Sequence, residues 1–233
     1  MERMERNTTR PYRYGGNWMY DVLKMDTDIF GLKWRTTFSE DSEYDDDMDC
    51  IHLPPEEEAS GVHFTECNVK VLKDTYNLCS DVKTILEIGI LKPVNENDMS
   101  TTKVLHSLKS NDVLYLGVDK RSTTMKSENH RMNIYCVQTC SSNKEIVLRR
   151  MKELGSETID VLIIDGWHSV KMTVNDWEYV NHLSPGGMVV IHDTNWHPGP
   201  ITVFDAIDET MFKKKKYCKG KADWGIGVAH AKF

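Results

Sequence analysis

Hydrophobic and polar positions follow two recurring patterns from about residue 66 to the end of the chain. Short continuous apolar runs, rich in β-branched residues, are typical of strands that are buried on both faces of a parallel sheet. The segments between these runs carry apolar residues three or four positions apart, which is the spacing of an amphipathic helix. This alternation predicts an α/β domain with a doubly wound, mostly parallel sheet.

The apolar runs predict five parallel strands, at residues 84–88, 113–118, 134–137, 161–164 and 188–191. Helices are predicted around them, at 69–79, from 100 or 101, weakly before 134, from 140–143 and at 170–183. The Ser-Pro-Gly-Gly sequence at 184–187 is expected to end the last of these helices, because proline and glycine disfavour its continuation.

The C-terminal segment is predicted to add antiparallel strands to this mostly parallel sheet. A helix is expected at 203–211, followed by strands at 214–219 and 225–230. The short final connection indicates an antiparallel hairpin at one edge of a Rossmann-like sheet. The four lysines at 213–216 are interpreted as a solvated edge strand, in preference to a phosphate-binding patch.

Length and charge divide the chain into two parts. Its 233 residues suffice for one sizeable domain, predicted at 66–233, plus an N-terminal extension at 1–65. In that extension, ten of the 19 residues at 40–58 are Asp or Glu and none is Lys or Arg, which predicts a mobile linker. The aromatic and basic residues at 1–38 are expected to pack on the domain, to contact a substrate or to bind nucleic acid.

Composition narrows the classes of function. No apolar run approaches the ~20 residues that a membrane span needs, and the charged first residues lack a signal core, which predicts a cytoplasmic protein. Six cysteines without a CxxC pair are interpreted as reduced thiols. The formal charge of −7 becomes +3 without residues 40–58, so no clear nucleic-acid or membrane surface is predicted. The sequence leaves open whether the chain forms a homo-oligomer.

Titratable side chains follow the carboxyl ends of two predicted strands. They are Asp165 and His168 after the strand at 161–164, and His192, Asp193 and His197 after the strand at 188–191. Open parallel sheets bind ligands at this edge. Asp-Gly and His-Asp are also common in turns, but two clusters at one sheet edge favour a functional site.

Four motifs in the order ILEIG, YLGVD, VLIIDGWHS and LSPGGMVVIHDT resemble those of class I S-adenosylmethionine-dependent methyltransferases. Within that class they look most like the macrocin O-methyltransferase and cephalosporin-hydroxylase-like branch, distant relatives of catechol O-methyltransferase. The resemblance covers roughly residues 84–230. It implies transfer of the methyl group of S-adenosylmethionine to a hydroxyl on a sugar or other small polar acceptor.

The resemblance also implies which residues bind the cofactor: Glu87, Gly89, Asp119, Cys140, Ser141 and Asp165. Glu87 and Gly89 belong to the loop that wraps the methionine part, and Asp119 is the acid that accepts both ribose hydroxyls. The sequence departs from the family pattern at two places. No second glycine follows Gly89 closely, and Cys140 stands where many relatives carry Asp.

The metal-dependent members of the family imply a divalent cation, Mg²⁺ or another, bound by Asp165, His192 and Asp193. Such a metal would hold and acidify the acceptor hydroxyl. An imidazole in this set also suits Mn²⁺, Fe²⁺ or Zn²⁺, unless His192 is simply a strand-end residue. Asp165 and His168 are the predicted catalytic residues, with His168 as general base because imidazole titrates near neutral pH. His197 is a second candidate for base or ligand.

Three other functions stay open from the sequence. The chain is alternatively a hydroxylase-like or repurposed member of the same fold, or a noncatalytic module that binds partners in an assembly. A nicotinamide-dependent dehydrogenase is disfavoured, because the turn after residue 88 lacks the G-x-G-x-x-G of a dinucleotide site.

Overall fold

Seven strands and five α-helices make up the part of the chain that the structure, a computed structural model, describes: residues 29–33, 66–79, 81–90, 100–121, 128–217 and 223–233. The strands are β1 (Thr84–Ile88), β2 (Leu114–Asp119), β3 (Ile134–Gln138), β4 (Ile159–Ile164), β5 (Leu183–His192), β6 (Phe212–Tyr217) and β7 (Ile226–Ala231). The helices are α1 (Glu66–Leu78), α2 (Thr101–Leu108), α3 (Lys144–Glu153), α4 (Val170–Trp177) and α5 (Pro198–Ala206), with 3-10 turns at His130–Met132 and Glu178–His182.

All seven strands form one sheet in the order β3-β2-β1-β4-β5-β7-β6. Strands β1 to β5 are parallel, and β7 pairs antiparallel with both β5 and β6. The predicted fold, a doubly wound Rossmann-like sheet with an antiparallel hairpin at one edge, is therefore confirmed. The strand order reverses between β1 and β4, and open α/β sheets bind ligands outside the carboxyl ends of the strands at such a point.

The central strands are buried on both faces because helices cover each side of the sheet. Successive residues of a strand point to opposite faces. In β4, Leu162 and Ile164 pack in the cluster that includes α3, α4 and α5, whereas Val161 and Ile163 pack in the cluster that includes α1 and α2. Burial on both faces explains why β4 is a continuous apolar run instead of an alternating one.

The helix predicted at 170–183 is shorter and irregular. It consists of α4 and a 3-10 turn that ends at His182. The helical segment ends at His182, just before the Ser-Pro-Gly-Gly sequence, as predicted. Residues 184–187 themselves lie within β5, which the sequence did not predict. The pairing of β5 with β4 begins here with an irregular register, which accommodates the proline and glycines.

Helix α5 begins earlier than the predicted helix at 203–211 and ends at Ala206. Its first residue is Pro198, which is tolerated there because the missing N–H would have no helical partner in the first turn. The early end has a tertiary cause. Lys214 Nζ of β6 donates to three carbonyl oxygens at the end of this helix, those of Phe204 at 3.0 Å, Asp205 at 2.8 Å and Ile207 at 3.2 Å. Strand β6 lies at the sheet edge as predicted.

Residues 29–33 are the part of the predicted extension that the structure describes. The Nε1 of Trp177 donates to the carbonyl of Phe30 at 2.9 Å, and Lys33 Nζ lies 2.7 Å from the carboxylate of Asp208. This segment therefore packs on the α/β domain. Two predictions lie outside the described residues: the acidic linker at 40–58 and most of the aromatic segment at 1–38. Residues 91–99, which follow β1, also lie outside them. The division of the chain at residue 65 stays a prediction.

Within the described residues, no helix combines the length and the apolar character that crossing a membrane requires.

The carboxyl ends of β1 and β4 touch directly at Gly89. Gly89 N–H donates to the carbonyl of Val118 at 2.8 Å, and Asp165 N–H donates to the carbonyl of Ile88 at 2.9 Å. Gly89 has φ +85°, and a Cβ on it would lie 2.0 Å from the carbonyl oxygen of Asp165. Because only glycine permits both the backbone conformation and this approach, Gly89 is required by the packing of the strands, whatever it contacts in a ligand.

We predict that Gly89→Ala lowers the free energy of unfolding by at least about 2 kcal/mol, because it adds a clash with a backbone atom to an unfavourable φ. Gly155→Ala is the matched control. Gly155 has φ +88°, but nothing lies within 4 Å of a Cβ there, so its cost is about 1–2 kcal/mol. Chemical denaturation of both variants measures the difference, and equal destabilisation would contradict the argument.

Candidate functional site

Five titratable residues meet at the carboxyl ends of β4 and β5: Asp165, His168, His192, Asp193 and His197. Strand pairing causes this meeting. Ile164 and Ile191 are partners in the parallel ladder, so the residues that follow each of them emerge side by side. The structure thus places in one cluster all the residues that the sequence puts after these two strands.

Asp165, His192 and Asp193 form the buried part of the cluster. His192 Nδ1 lies 3.1 Å from Asp165 Oδ1 and 2.8 Å from Asp193 Oδ1. Burial alone would lower the pKa of His192, but the two carboxylates outweigh it and hold that pKa well above its usual value. Burial would raise the pKa of Asp193, but His192 and His168 hold it well below its usual value. His192 and Asp193 are therefore a buried ion pair.

His168 and His197 form the part of the cluster that reaches solvent, with side chains 28% and 14% exposed. His168 Nε2 lies 3.0 Å from Asp193 Oδ2, and His197 Nε2 lies 3.8 Å from the same oxygen. The two rings are stacked, with centroids 3.9 Å apart. Trp224 packs edge-on against His197 at 5.5 Å. One carboxylate oxygen therefore faces two neighbouring imidazoles.

Asp193 begins a helical turn that brings His197 to its own side. The N–H groups of Trp196 and His197 donate to the carbonyl of Asp193 at 3.0 and 3.1 Å, and residues four apart in such a turn share a face. Asp193 has φ +61°, which is uncommon for a residue other than glycine and is concentrated at functional sites.

The carboxylate of Asp193 has acceptor capacity left for a ligand. Its side chain is fully buried. Its two oxygens lie 2.8 Å from His192 Nδ1 and 3.0 Å from His168 Nε2. Each carboxylate oxygen has two acceptor sites, so these two imidazoles leave room for a further donor or a cation.

Close packing holds the loop that carries His168. Gly199 N–H donates to the carbonyl of His168 at 2.9 Å, and a Cβ on Gly199 would lie 2.4 Å from that oxygen. Ser169 caps α4, because its Oγ accepts a bond from Met172 N–H at 3.2 Å. The first turns of α4 and α5 thus position His168 from two sides.

Glu87 lies below this edge and is completely buried. Its carboxylate accepts hydrogen bonds from Thr101 Oγ1 at 2.7 Å, from Thr102 Oγ1 at 2.9 Å and from the Tyr115 hydroxyl. Thr101 Oγ1 also lies 3.1 Å from Asp165 Oδ2, which links Glu87 to the cluster. Burial raises the pKa of Glu87 to about 7, although these bonds oppose the rise. The sequence did not predict that Thr101 and Thr102 bind Glu87. Their only distinguishing feature in the sequence is their position at the start of the helix after β1.

Asp119 ends β2 and is engaged by Arg121, which sequence reasoning also missed. The Nε of Arg121 donates to Asp119 Oδ1 at 2.9 Å, and one of its terminal nitrogens lies 2.5 Å from Oδ2. The same guanidinium donates to the carbonyl of Ile90. The predicted ribose acceptor therefore holds a bidentate arginine.

Cys140 and Ser141 follow β3 and precede α3. The Tyr179 hydroxyl donates to the carbonyl of Ser141 at 2.6 Å, and Ser142 Oγ donates to Cys140 Sγ at 3.1 Å. Nearby, Asp176 has a buried carboxylate without a hydrogen bond of suitable geometry among the described residues, and burial raises its pKa to about 7. All predicted cofactor residues thus lie along one sheet edge, but Asp119 and Cys140 are not part of the histidine cluster.

Comparison with known proteins agrees with this fold. Residues 98–194 match the family model described as a methyltransferase domain. This part of the chain is therefore similar to a methyltransferase domain. No curated protein matches its sequence.

Three solved structures have a similar fold. The O-methyltransferase TomG from Streptomyces achromogenes, in complex with SAM, is 13% identical with a TM-score of 0.52, over 78% of this chain and 91% of TomG. An O-methyltransferase from Bacillus cereus, in complex with SAH, is 13% identical with a TM-score of 0.53, over 78% and 93%. Cofactor-bound Rv0187 from MTB is 12% identical with a TM-score of 0.50, over 75% and 85%.

We predict that Glu87 makes the α/β domain less stable as the pH rises from about 4.5 to about 7. Its raised pKa means that the folded state binds the proton more tightly than the unfolded state, so ionisation favours unfolding. Glu87→Gln should remove about 3 kcal/mol of this pH dependence. Urea denaturation across that range measures it, with the exposed Glu145→Gln as control; identical profiles for wild type and Glu87→Gln would contradict the burial argument.

Proposed function

We propose that this chain transfers the methyl group of S-adenosylmethionine to a hydroxyl group of a sugar or other small polar acceptor. The observation that carries the proposal is the pair His168–Asp193: a partly exposed imidazole, held by a buried carboxylate, at the edge of the sheet where class I methyltransferases bind their ligands. An imidazole in this position is suited to remove the proton of a hydroxyl.

The orientation of His168 assigns roles to its two nitrogens. Nε2 faces Asp193 Oδ2 at 3.0 Å, so an N–H on Nε2 is favoured by the carboxylate. Nδ1 is then the nitrogen that accepts the proton from the acceptor hydroxyl. Asp193 stabilises the imidazolium that results, as the carboxylate does in other base–carboxylate pairs.

The proposed transfer is a single displacement. The hydroxyl oxygen, whose proton passes to His168 Nδ1, forms a bond to the methyl carbon as the bond from that carbon to sulfur breaks. The electron pair stays on sulfur, and the products are a methyl ether and S-adenosylhomocysteine. Alignment of oxygen, carbon and sulfur supplies most of the rate enhancement in such a reaction. In this proposal the close packing around His168 keeps the base in the position that this alignment requires.

We assign cofactor binding to the strand ends that carry Glu87, Gly89, Asp119, Cys140, Ser141 and Asp165. Asp119 accepts the ribose hydroxyls in this proposal. Its Oδ1 already accepts both the backbone N–H and the Nε of Arg121, each at 2.9 Å. A carboxylate oxygen has two lone pairs, so the guanidinium of Arg121 must move for both hydroxyls to bind. Cofactor binding is thereby coupled to a rearrangement of Arg121.

The residues at the cluster also fit a divalent cation. The carboxylate of Asp193 has acceptor sites beyond its two imidazole contacts, and the ligand atoms of Asp165, His192 and Asp193 lie within 4.8 Å of one another. We propose these three as the residues that would hold Mg²⁺ or a similar ion, with His192 a ligand only after it gives up the proton of its ion pair. When bound, such an ion would lower the pKa of the acceptor hydroxyl. The proton itself passes to His168 in this proposal.

Asp119→Ala should weaken the binding of S-adenosylmethionine by more than about tenfold, or about 1.4 kcal/mol, because the ribose diol loses its paired acceptor. Isothermal titration calorimetry measures this. Asp112→Ala, which removes an exposed carboxylate before β2, is the control and should leave affinity unchanged. Wild-type affinity in Asp119→Ala would overturn the assignment of Asp119.

His168→Ala should slow methyl transfer by about 10²- to 10⁴-fold while leaving cofactor affinity nearly unchanged, because it removes only the base. Release of S-adenosylhomocysteine is measured with a panel of sugars and small polyols, with added Mg²⁺ and after chelation. Exposed His130, which precedes β3, provides the control variant His130→Ala. If His168→Ala keeps full activity and chelation abolishes it, a metal rather than His168 activates the hydroxyl.

A further inference from the structure

The solvent-facing part of the histidine cluster contains a second set of metal-ligand atoms. His168, Asp193 and His197 each offer one ligand atom, and these three atoms lie within 4.8 Å of one another. Asp193 Oδ2 is 3.0 Å from His168 Nε2 and 3.8 Å from His197 Nε2. Neither His168 nor His197 belongs to the buried set Asp165–His192–Asp193, with which this second set shares only Asp193.

These spacings suit a small tetrahedral ion. Nitrogen and oxygen ligands about 2.0–2.1 Å from a tetrahedral Zn²⁺ lie about 3.3–3.4 Å apart, between the two distances seen here. The two imidazole rings are stacked, and the Nε2 atom of each lies within 3.8 Å of the same oxygen, Asp193 Oδ2. The helical turn from Asp193 to His197 fixes two of the three ligands on one short stretch of backbone. The three groups therefore need only small side-chain movements to close on one ion.

The two sets differ in access and in chemistry. The side chains of Asp165, His192 and Asp193 are at most 2% exposed, so an ion reaches them only through the protein. His168 and His197 are 28% and 14% exposed, which leaves an open side for entry and for a water ligand. Two imidazoles and one carboxylate favour Zn²⁺, Co²⁺ or Fe²⁺ over Mg²⁺, which prefers oxygen ligands.

We propose that His168, Asp193 and His197 form a binding site for a transition-metal divalent cation such as Zn²⁺, and that this ion inhibits methyl transfer when it is bound. Neutral imidazole keeps one N–H. A metal on Nε2 of His168 places that hydrogen on Nδ1, the atom that accepts the hydroxyl proton in the proposed reaction. The inhibitory half of the inference rests on the proposed function; the binding half does not.

Binding is tested directly with Co²⁺, whose visible absorption reports ligand number and geometry, and by competition of Zn²⁺ with a chromophoric chelator. The full-length chain is used without cofactor. His197→Gln removes a ligand of the second set only, and Asp165→Asn removes a ligand of the buried set only, so these two variants are matched. We expect one ion per wild-type chain, affinity at least about tenfold weaker in His197→Gln, and little change in Asp165→Asn.

The opposite order, with Asp165→Asn impaired and His197→Gln unaffected, would overturn the site, and so would binding that neither variant alters. A measurement on the wild-type chain guards against misfolded variants: Zn²⁺ should protect His168 and His197 from diethylpyrocarbonate, as mapped by peptide mass spectrometry. Absence of protection at saturating Zn²⁺ would also overturn it.

Inhibition is tested separately, by methyl transfer at increasing Zn²⁺ with Mg²⁺ held constant. Activity should fall in step with occupancy of the Co²⁺- or Zn²⁺-binding site and return after chelation and addition of Mg²⁺. Binding without inhibition would reject the inhibitory half and would show that Nδ1 of His168 is not the base. Loss of activity in His168→Ala without any Zn²⁺ binding in wild type would instead support the proposed function and reject the metal site.

Discussion

The parallel pairing of β4 with β1 on one side and β5 on the other is the constraint on which the site depends. It sets the carboxyl ends of three strands at one edge, about 5 Å apart, so that Asp165 emerges beside His192 and Asp193. The contact of Gly89 with the carbonyl of Asp165 fixes the same edge from the β1 side. A register shift of one residue would turn the side chains to the other face and separate the cluster.

Charge buried at this edge is costly for folding. Taking an ion pair such as His192–Asp193 out of water costs free energy that its mutual attraction only partly returns. Glu87 adds a carboxyl group whose pKa burial raises to about 7, and so does Asp176. Such groups cluster at functional sites, where perturbed protonation is useful. These groups lie along the carboxyl edge of the sheet. This agrees with a domain in which the apolar core provides stability and the strand ends hold the reactive groups.

Asp193 unites the proposals for this site. The same buried carboxylate faces His192, His168 and His197, and its positive φ is maintained by the turn that follows β5. In the proposed reaction it orients the base. In the proposed metal sites it would join the buried set for a hard cation and the two exposed histidines for a softer one. Under these proposals the identity of the cation would decide whether His168 is free to accept a proton.

The sequence by itself determined the sheet and its edge hairpin, because the pattern of apolar positions shows locally which residues are buried. It also determined that residues meet at the ends of β4 and β5, because the order of the strands sets which strand ends are neighbours. Only the tertiary structure decided the partners of those residues. Glu87 is bonded by Thr101 and Tyr115 from two other elements, and α5 ends where Lys214 of β6 caps it. The acceptor capacity left on Asp193 likewise depends on ring orientations across the cluster. Hydrogen-bond geometry between segments distant in sequence arises from packing, and no local pattern encodes it.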